Sequence, residues 1–183
     1  VDTCVLMEEF GKVLVVEPYW PSIVLAGQLI ARSSNTALCE RILPQLMAGE
    51  LQASFAWLEA QGTFCLSHVS ATAKLDGDDY ILNGQKQLVL NAAADIILLP
   101  ARTRGEVNSE QGISLFKIDA QDPAIEREEV VLMDGQRAVN IRFTNLRVPA
   151  ENMLTAEDDA YPLIADVVGE ALIALCAEAV GAM

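Results

Sequence analysis

Between Thr72 and Asn91 the chain runs TAKLDGDDYILNGQKQLVLN, and this stretch limits the fold more than any other. Two turn signals, Asp76-Gly77 and Asn83-Gly84, sit between short runs that alternate apolar and polar residues. Gly supplies the positive φ of a tight hairpin turn at no steric cost, and Asp or Asn before it tolerates the same region. The stretch is expected to form three short strands doubling back on one another. The rest of the chain then decides what covers this sheet.

Before the stretch the period is helical. Val5, Leu6, Met7, Phe10, Val13 and Leu14 make a broad apolar stripe, which predicts a helix over residues 3–16. Glu17-Pro18 and Trp20-Pro21 break it, because a residue before Pro avoids the α region. A second helix is expected from an N-cap at Ser22 to Ala31, and a third from Ser34 or Asn35 to Met47. Pro44 should end or kink the third, and Gly49 is its stop signal.

From Gln52 the period falls to two. Residues 54–59 (SFAWLE) are expected as a strand, and 61–63 as a loop. Further strands are expected at 94–103, 112–119, 125–132 and 138–148, with an exposed loop at 104–111 and a turn at Asp134-Gly135. Seven or eight short strands of this spacing imply a compact antiparallel β-barrel or sandwich. Residues 161–183 are apolar on nearly every face. Their length alone would permit a membrane span. However, Asp166, Glu170 and Glu178 lie within them, and an Asp at a helix centre costs about 2.5–3.5 kcal/mol on insertion. A helix buried on several sides in a bundle or subunit interface, with no membrane span, is the expectation. Segregated runs of helices, strands and a helix give an α+β fold class. The expected division is 1–50 (end of an N-terminal helical domain), 51–154 (middle β domain) and 155–183 (first helix of a C-terminal helical domain). The chain begins without Met and stops inside a helical pattern, so both ends are expected to be cut.

Charge and composition exclude some functions. The net charge is −14, with 26 acidic and 12 basic residues, which argues against nucleic acid and anionic membrane as partners. At 52% hydrophobic residues the chain can bury a sizeable core. Cys4, Cys39, Cys65 and Cys176 are widely spaced without a C-x-x-C, and His68 completes no familiar zinc spacing with them. They are expected as buried, reduced thiols of a cytoplasmic protein, and no metal site is expected. His68 has no Ser or Asp partner at recognisable spacing and is expected as a loop or surface residue. Glu126, Glu128 and Glu129 are expected on an exposed strand face, and Glu157–Asp159 in a loop.

The element order and three stretches resemble the acyl-CoA dehydrogenase family. ILPQLMAGELQASFAWLE (42–59) is similar to the family's "LP-x-L-x-x-GE" running into "FALTE". The 72–91 stretch is similar to "DG-x-x-Y-x-LNG-x-K-x-WITN", and FTNLRVPAENML (143–154) to "F-x-x-V-RVPAENLLG". GISLF (112–116) falls in the family's order between them. More narrowly, VVEPY (15–19) and ALCAEAVGAM (174–183) resemble the small subunit of pimeloyl-CoA dehydrogenase, a branch acting on CoA thioesters of dicarboxylic acids.

The resemblance implies FAD bound between the β domain and a helical bundle, with Phe55, Ala56 and Val89 at cofactor-binding positions. It implies an acyl-CoA substrate and, as partner, a large acyl-CoA dehydrogenase subunit or further copies of the same chain. In the family a Glu on a later helix takes the α-proton while hydride passes from the β-carbon to the flavin. That position lies beyond Met183, so no catalytic residue is assigned. The chain also departs from the family. Leu58 and Leu90 stand where Thr hydroxyls meet the flavin edge, and Leu88 stands for Trp. The loop AQGTFCLSH (60–68) lacks the usual Ser, for which Ser67 is the substitute candidate, and Leu172 stands near a usual Arg. An unpaired polar edge costs about 1–3 kcal/mol. These departures leave open a non-catalytic structural subunit, beside a small β-domain binding module as an alternative outside the family.

Overall fold

The computed structural model describes residues 1–62 and 64–183; Thr63, expected in a loop, lies outside the described residues. Helix α1 spans Asp2–Val13 and ends on Leu14 in the left-handed region, so it stops short of the expected residue 16. A π-helical run, Trp20–Gly27, passes directly into α2, Gln28–Ala31. Ser22 is not the N-cap expected of it. It is buried within the run, and its Oγ donates to the Ala53 carbonyl at 2.7 Å, tying this helix to the first strand.

Helix α3 spans Thr36–Ala48. Asn35 caps it by accepting the Leu38 amide, and Gly49 closes it in the left-handed region. Pro44 does not end it: the helix runs on through this residue. The two caps and the buried face of Leu38, Ile42 and Leu46 outweigh one missing backbone hydrogen bond.

The middle of the chain is a seven-stranded sheet: β1 (Ala53–Phe55), β2 (Thr72–Asp76), β3 (Asp79–Leu90), β4 (Ile96–Arg102), β5 (Ile113–Asp119), β6 (Ile125–Val131) and β7 (Arg137–Pro149). The order is β1-β4-β2-β3-β7-β6, with β5 on the other side of β4. Pairing is antiparallel except where β1 and β2 each run parallel to β4. β4 is buried at every residue, which explains its unbroken apolar run. The segment after β7 covers the free edge of β5: Leu154 and Ala160 donate their amides to the Leu115 and Ile113 carbonyls.

The stretch from Thr72 to Asn91 forms two strands, not three. Asp76-Gly77 is the expected turn, with Gly77 at φ +67° and Asp76 paired to Asp79. Asn83-Gly84 is not a turn. β3 continues through it, and the register with β7 shifts between Leu82 and Gly84. A Cβ on Gly84 would lie 2.7 Å from the Ala71 Cβ, so the glycine serves close packing and a bulge. A second shift between Lys86 and Val89 bends the long strand again.

Helix α4, Tyr161–Ala182, packs back on the first helices and buries Ile164, Val167, Ala171 and Ala174. Leu163 and Val168 are half-buried against the same core, whereas Leu172, Ile173 and Val180 are exposed. Within this chain it is therefore buried on one face. Gly11 of α1 and Gly181 of α4 let the two backbones touch, because a Cβ at either would run into the Glu178 or Glu8 carbonyl. Trp20 adds a hydrogen bond from its indole to the Ala171 carbonyl at 2.9 Å. Among the described residues no helix is long and apolar enough to cross a membrane. The result is the α+β order read from the sequence: helices, a bent sheet, then a helix. The expectation for the cysteines is corrected. All four are free, but Cys65 and Cys176 are exposed and Cys4 and Cys39 only half-buried, because each lies on a loop or a solvent-facing helix edge.

Candidate functional site

The ends of β1 and β3 meet where sheet and helices join. After Phe55 the chain leaves the ladder, though the Ala56 amide still donates to the Leu98 carbonyl at 2.9 Å. Beyond it the Gln87 amide donates to the Leu58 carbonyl at 2.8 Å, and the Ser54 hydroxyl donates to the Leu90 carbonyl. The amides of Trp57 and Leu58 donate to no group among the described residues, and both residues are only half-buried. Two free donors thus stand beside the end of β3.

Phe55, Ala56 and Val89 all lie at this junction. Their side chains belong to the core, at 4%, 0% and 1% exposure. What this part of the chain offers a ligand is therefore backbone. Leu88 differs. The bulge turns Lys86 and Val89 both inward and puts Leu88 at φ 48° with its side chain exposed. Its amide donates to Asn140 Oδ1 at 3.0 Å, and Asn140 in turn donates to Glu128 at 3.2 Å. Glu128 is on the exposed face expected of it and also braces this bulge. Leu90 borders a cavity of about 310 Å³ between sheet and helices, shared with Phe10, Tyr19, Trp20 and Leu175. Asn91 fastens the same corner, donating to Ser22 Oγ and Gln52 Oε1, each at 2.9 Å.

Beneath the junction is a buried ion pair. Lys86 Nζ lies 2.7 Å from Glu59 Oε1, with side-chain exposures of 0% and 2%. Glu59 also accepts the Ser70 amide at 2.8 Å, the Ser70 hydroxyl, and the Ala71 amide at 3.2 Å. Burial pushes the Glu59 carboxyl up, but the Lys86 charge and the hydrogen bonds from Lys86 and Ser70 outweigh it and hold it below its ordinary value. Burial pulls Lys86 down, and the attraction of Glu59 only partly opposes that, with Arg102 adding repulsion. The anion is thus favoured and the cation penalised within one pair. The asymmetry has a plain cause: Glu59 has donors from three residues, whereas Lys86 has one acceptor and a cationic neighbour.

Arg102 anchors the loops alongside. Its guanidinium donates to the carbonyls of Val69, Ser67, Val107, Ser109 and Gln111 at 2.8–3.0 Å. The Ser67 hydroxyl lies 3.2 Å from Cys65 Sγ, and the Ser67 carbonyl accepts from Arg102. Hydrogen bonds from Ser67, chiefly its hydroxyl, lower the Cys65 thiol. The His68 ring pairs with Asn108 Oδ1 at 2.8 Å. Phe64, at φ 63°, lies exposed with its ring 6.2 Å from that of Trp57.

A flavin's polar edge fits the free amides of Trp57 and Leu58. No hydroxyl faces them, since leucines occupy positions 58 and 90. Sequence reasoning did not single out Ser54, Arg102 or Asn140, and took Lys86 only as a residue of the family motif. For Arg102 the available signal was a charge closing the unbroken buried run of β4.

Among known proteins, the chain is 32% identical to acyl-CoA dehydrogenase FadE29 of Mycobacterium tuberculosis over 148 residues, 79% of this chain and 38% of that protein. Its fold matches a glutaryl-coenzyme A dehydrogenase in complex with glutaryl-CoA, with TM-score 0.89 at 23% identity, over 97% of this chain and 46% of that one. It also matches a chain of the ChsE4-ChsE5 complex from Mycobacterium tuberculosis, with TM-score 0.82 at 24% identity, over 92% of this chain and 44% of that one. The chain spans less than half the length of each. The family model described as "Acyl-CoA dehydrogenase, middle domain" matches residues 54–146, more than half of the chain, and so the chain belongs to the acyl-CoA dehydrogenase family.

Proposed function

We propose that this chain is part of an FAD-dependent acyl-CoA dehydrogenase subunit that takes part in α,β-dehydrogenation of an acyl-CoA thioester. The observation that carries the proposal is the junction of β1 and β3, where the amides of Trp57 and Leu58 find no partner among the described residues and the Leu58 carbonyl is tied to Gln87 of β3. Phe55, Ala56 and Val89 would hold the cofactor through backbone and packing, and Trp57 and Leu58 through their amides. When bound, flavin supplies the acceptor for the hydride that leaves the β-carbon. This chain's part is to bind and orient it; the proton of the α-carbon goes to a base that none of these residues provides. Residues 1–50, 51–154 and 155–183 serve as helical, β and bundle-forming parts. The family resemblance supports a dicarboxylic thioester such as pimeloyl-CoA as substrate and a cytoplasmic setting. The ChsE4-ChsE5 neighbour, a complex of two differently named chains, supports a large dehydrogenase subunit as partner over further copies of this chain.

A second reading, a non-catalytic structural subunit, is favoured by Leu58 and Leu90 in place of hydroxyls and by Leu172, exposed where family members carry Arg. Visible absorption of the purified intact protein, alone and with its partner subunit, separates the two. Flavin bands in the isolated protein support the first reading and sink the second. No flavin in either preparation sinks the first.

A further inference from the structure

The buried Glu59–Lys86 pair is costly to maintain, since two charges leave water for a site where an apolar pair of similar volume would often be as stable. Its place in the chain suggests what it does. Glu59 follows Leu58 directly, and Lys86 precedes Gln87 directly. The same two segments are joined by the backbone bond from Gln87 to Leu58 at 2.8 Å and by the Lys86–Glu59 contact at 2.7 Å. Neighbouring residues are therefore linked twice, once through backbone and once through side chains. A single hydrogen bond leaves the segments free to rotate about it; a second link one residue away removes that freedom. The Ser70 amide holds the far oxygen of the Glu59 carboxylate and the Ala71 amide shares the near one with Lys86, so the link is referenced to the residues just before β2. On the other side, Asn140 holds Leu88 in the bulge.

We infer that Glu59 and Lys86 form a positioning pair, which fixes the free amides of Trp57 and Leu58 against the bulge at Gln87–Leu88 so that both segments present one edge to the cofactor. This rests on the flavin reading above. The pair touches no ligand itself; it acts through the backbone on either side of it.

The test uses the intact protein carrying Glu59→Gln with Lys86→Met. Gln keeps an acceptor for the Ser70 and Ala71 amides, and Met keeps the length of the Lys stem. Glu59→Gln with Lys86→Leu, which also leaves no buried charge, is the second variant should the first fail to fold, as judged by circular dichroism. Two readouts are taken. Amide hydrogen exchange is expected to speed up ~10-fold or more in peptides covering 55–61 and 86–91 while β6 keeps its protection. The dissociation constant for added FAD is expected to rise ~10-fold or more, with a shift in the flavin's visible bands. Exchange unchanged in both peptides overturns the inference, whether or not flavin binds. So does faster exchange with a dissociation constant within about twofold of the parent. A parent protein that takes up no FAD is a different failure: it sinks the flavin reading, and the exchange result still decides whether the pair fixes these segments.

Discussion

At the hairpin end of β3, Arg147 reaches Asp76 at 2.7 Å and Asp79 at 2.9 Å, with these side chains 30–61% exposed. At the opposite end Lys86 meets Glu59 at 2.7 Å, sealed from water. Both contacts join oppositely charged groups at similar distances, yet the surroundings give them different weight. In water the attraction between unit charges about 4 Å apart is ~1 kcal/mol, and salt screens it further. In a dry interior the attraction is stronger, but it is set against the cost of removing both charges from water. The exposed contact is dispensable. The buried one is a commitment, because neither partner can lose the other and still be solvated.

Removing one buried partner should therefore have the largest effect. Lys86→Met is expected to destabilise the fold by about 3–5 kcal/mol, because Glu59 is left charged, buried and without its cation. Urea unfolding followed by circular dichroism measures this. Adding Glu59→Gln to Lys86→Met should recover most of the loss, since no charge then remains to be desolvated. A single variant no less stable than the parent would mean that water reaches this site and that the two ends of β3 are alike.

The contrast between the ends also shows what was legible in the sequence. Asp76-Gly77 gives a turn from local geometry alone, and the structure has that turn. Asn83-Gly84 carries the same local signal, but the outcome is set by Ala71 and β7, which come from elsewhere in the chain. Pro44 is a similar case: its local penalty is overridden by caps and core contacts on either side. The helix periods and the unbroken apolar run of β4 were readable because burial leaves a pattern in the sequence. Family motifs pointed to Phe55, Ala56 and Val89 as cofactor positions, and these three residues fall together at the junction of β1 and β3. The ion pair beneath that junction was not readable. A lysine in an alternating strand looks like any solvent-facing lysine until Glu59, twenty-seven residues earlier, is known to face it.

Acid should break the buried end next. Glu59 is held below 4.5, its ordinary value, so the folded state binds its proton less readily than the unfolded chain does. Its contribution is complete above that value and is lost as pH falls through the lowered folded value. Lys86 runs the other way. Its folded value lies below 10.5, so its charge costs stability, and the cost is relieved as it deprotonates with rising pH. Melting temperature measured from pH 7 downward should thus fall more steeply for the parent than for the Glu59→Gln, Lys86→Met variant. Parallel curves would mean that other carboxylates account for the acid loss.

Arg147→Ala should have the smallest effect. The hairpin it spans is already set by Gly77 at φ +67° and by the pairing of β2 with β3 from Thr72–Asn83 to Asp76–Asp79. Tyr80 and Leu82 bury their side chains just inside the turn, at 4% and 0% exposure. Backbone ladder and core contacts therefore remain when the guanidinium is gone, and water solvates both aspartates in its place. Asp76 and Asp79 then repel each other weakly across the turn, over a distance that salt at 0.15 M already begins to screen, its Debye length being about 8 Å. The melting temperature of Arg147→Ala should match the parent within replicate scatter at 0.15 M salt, with any deficit appearing only at low salt. A loss approaching that of Lys86→Met, and independent of salt, would show that the hairpin end is held by its ion pairs after all. The difference between the two ends of β3 would then have to come from something other than burial.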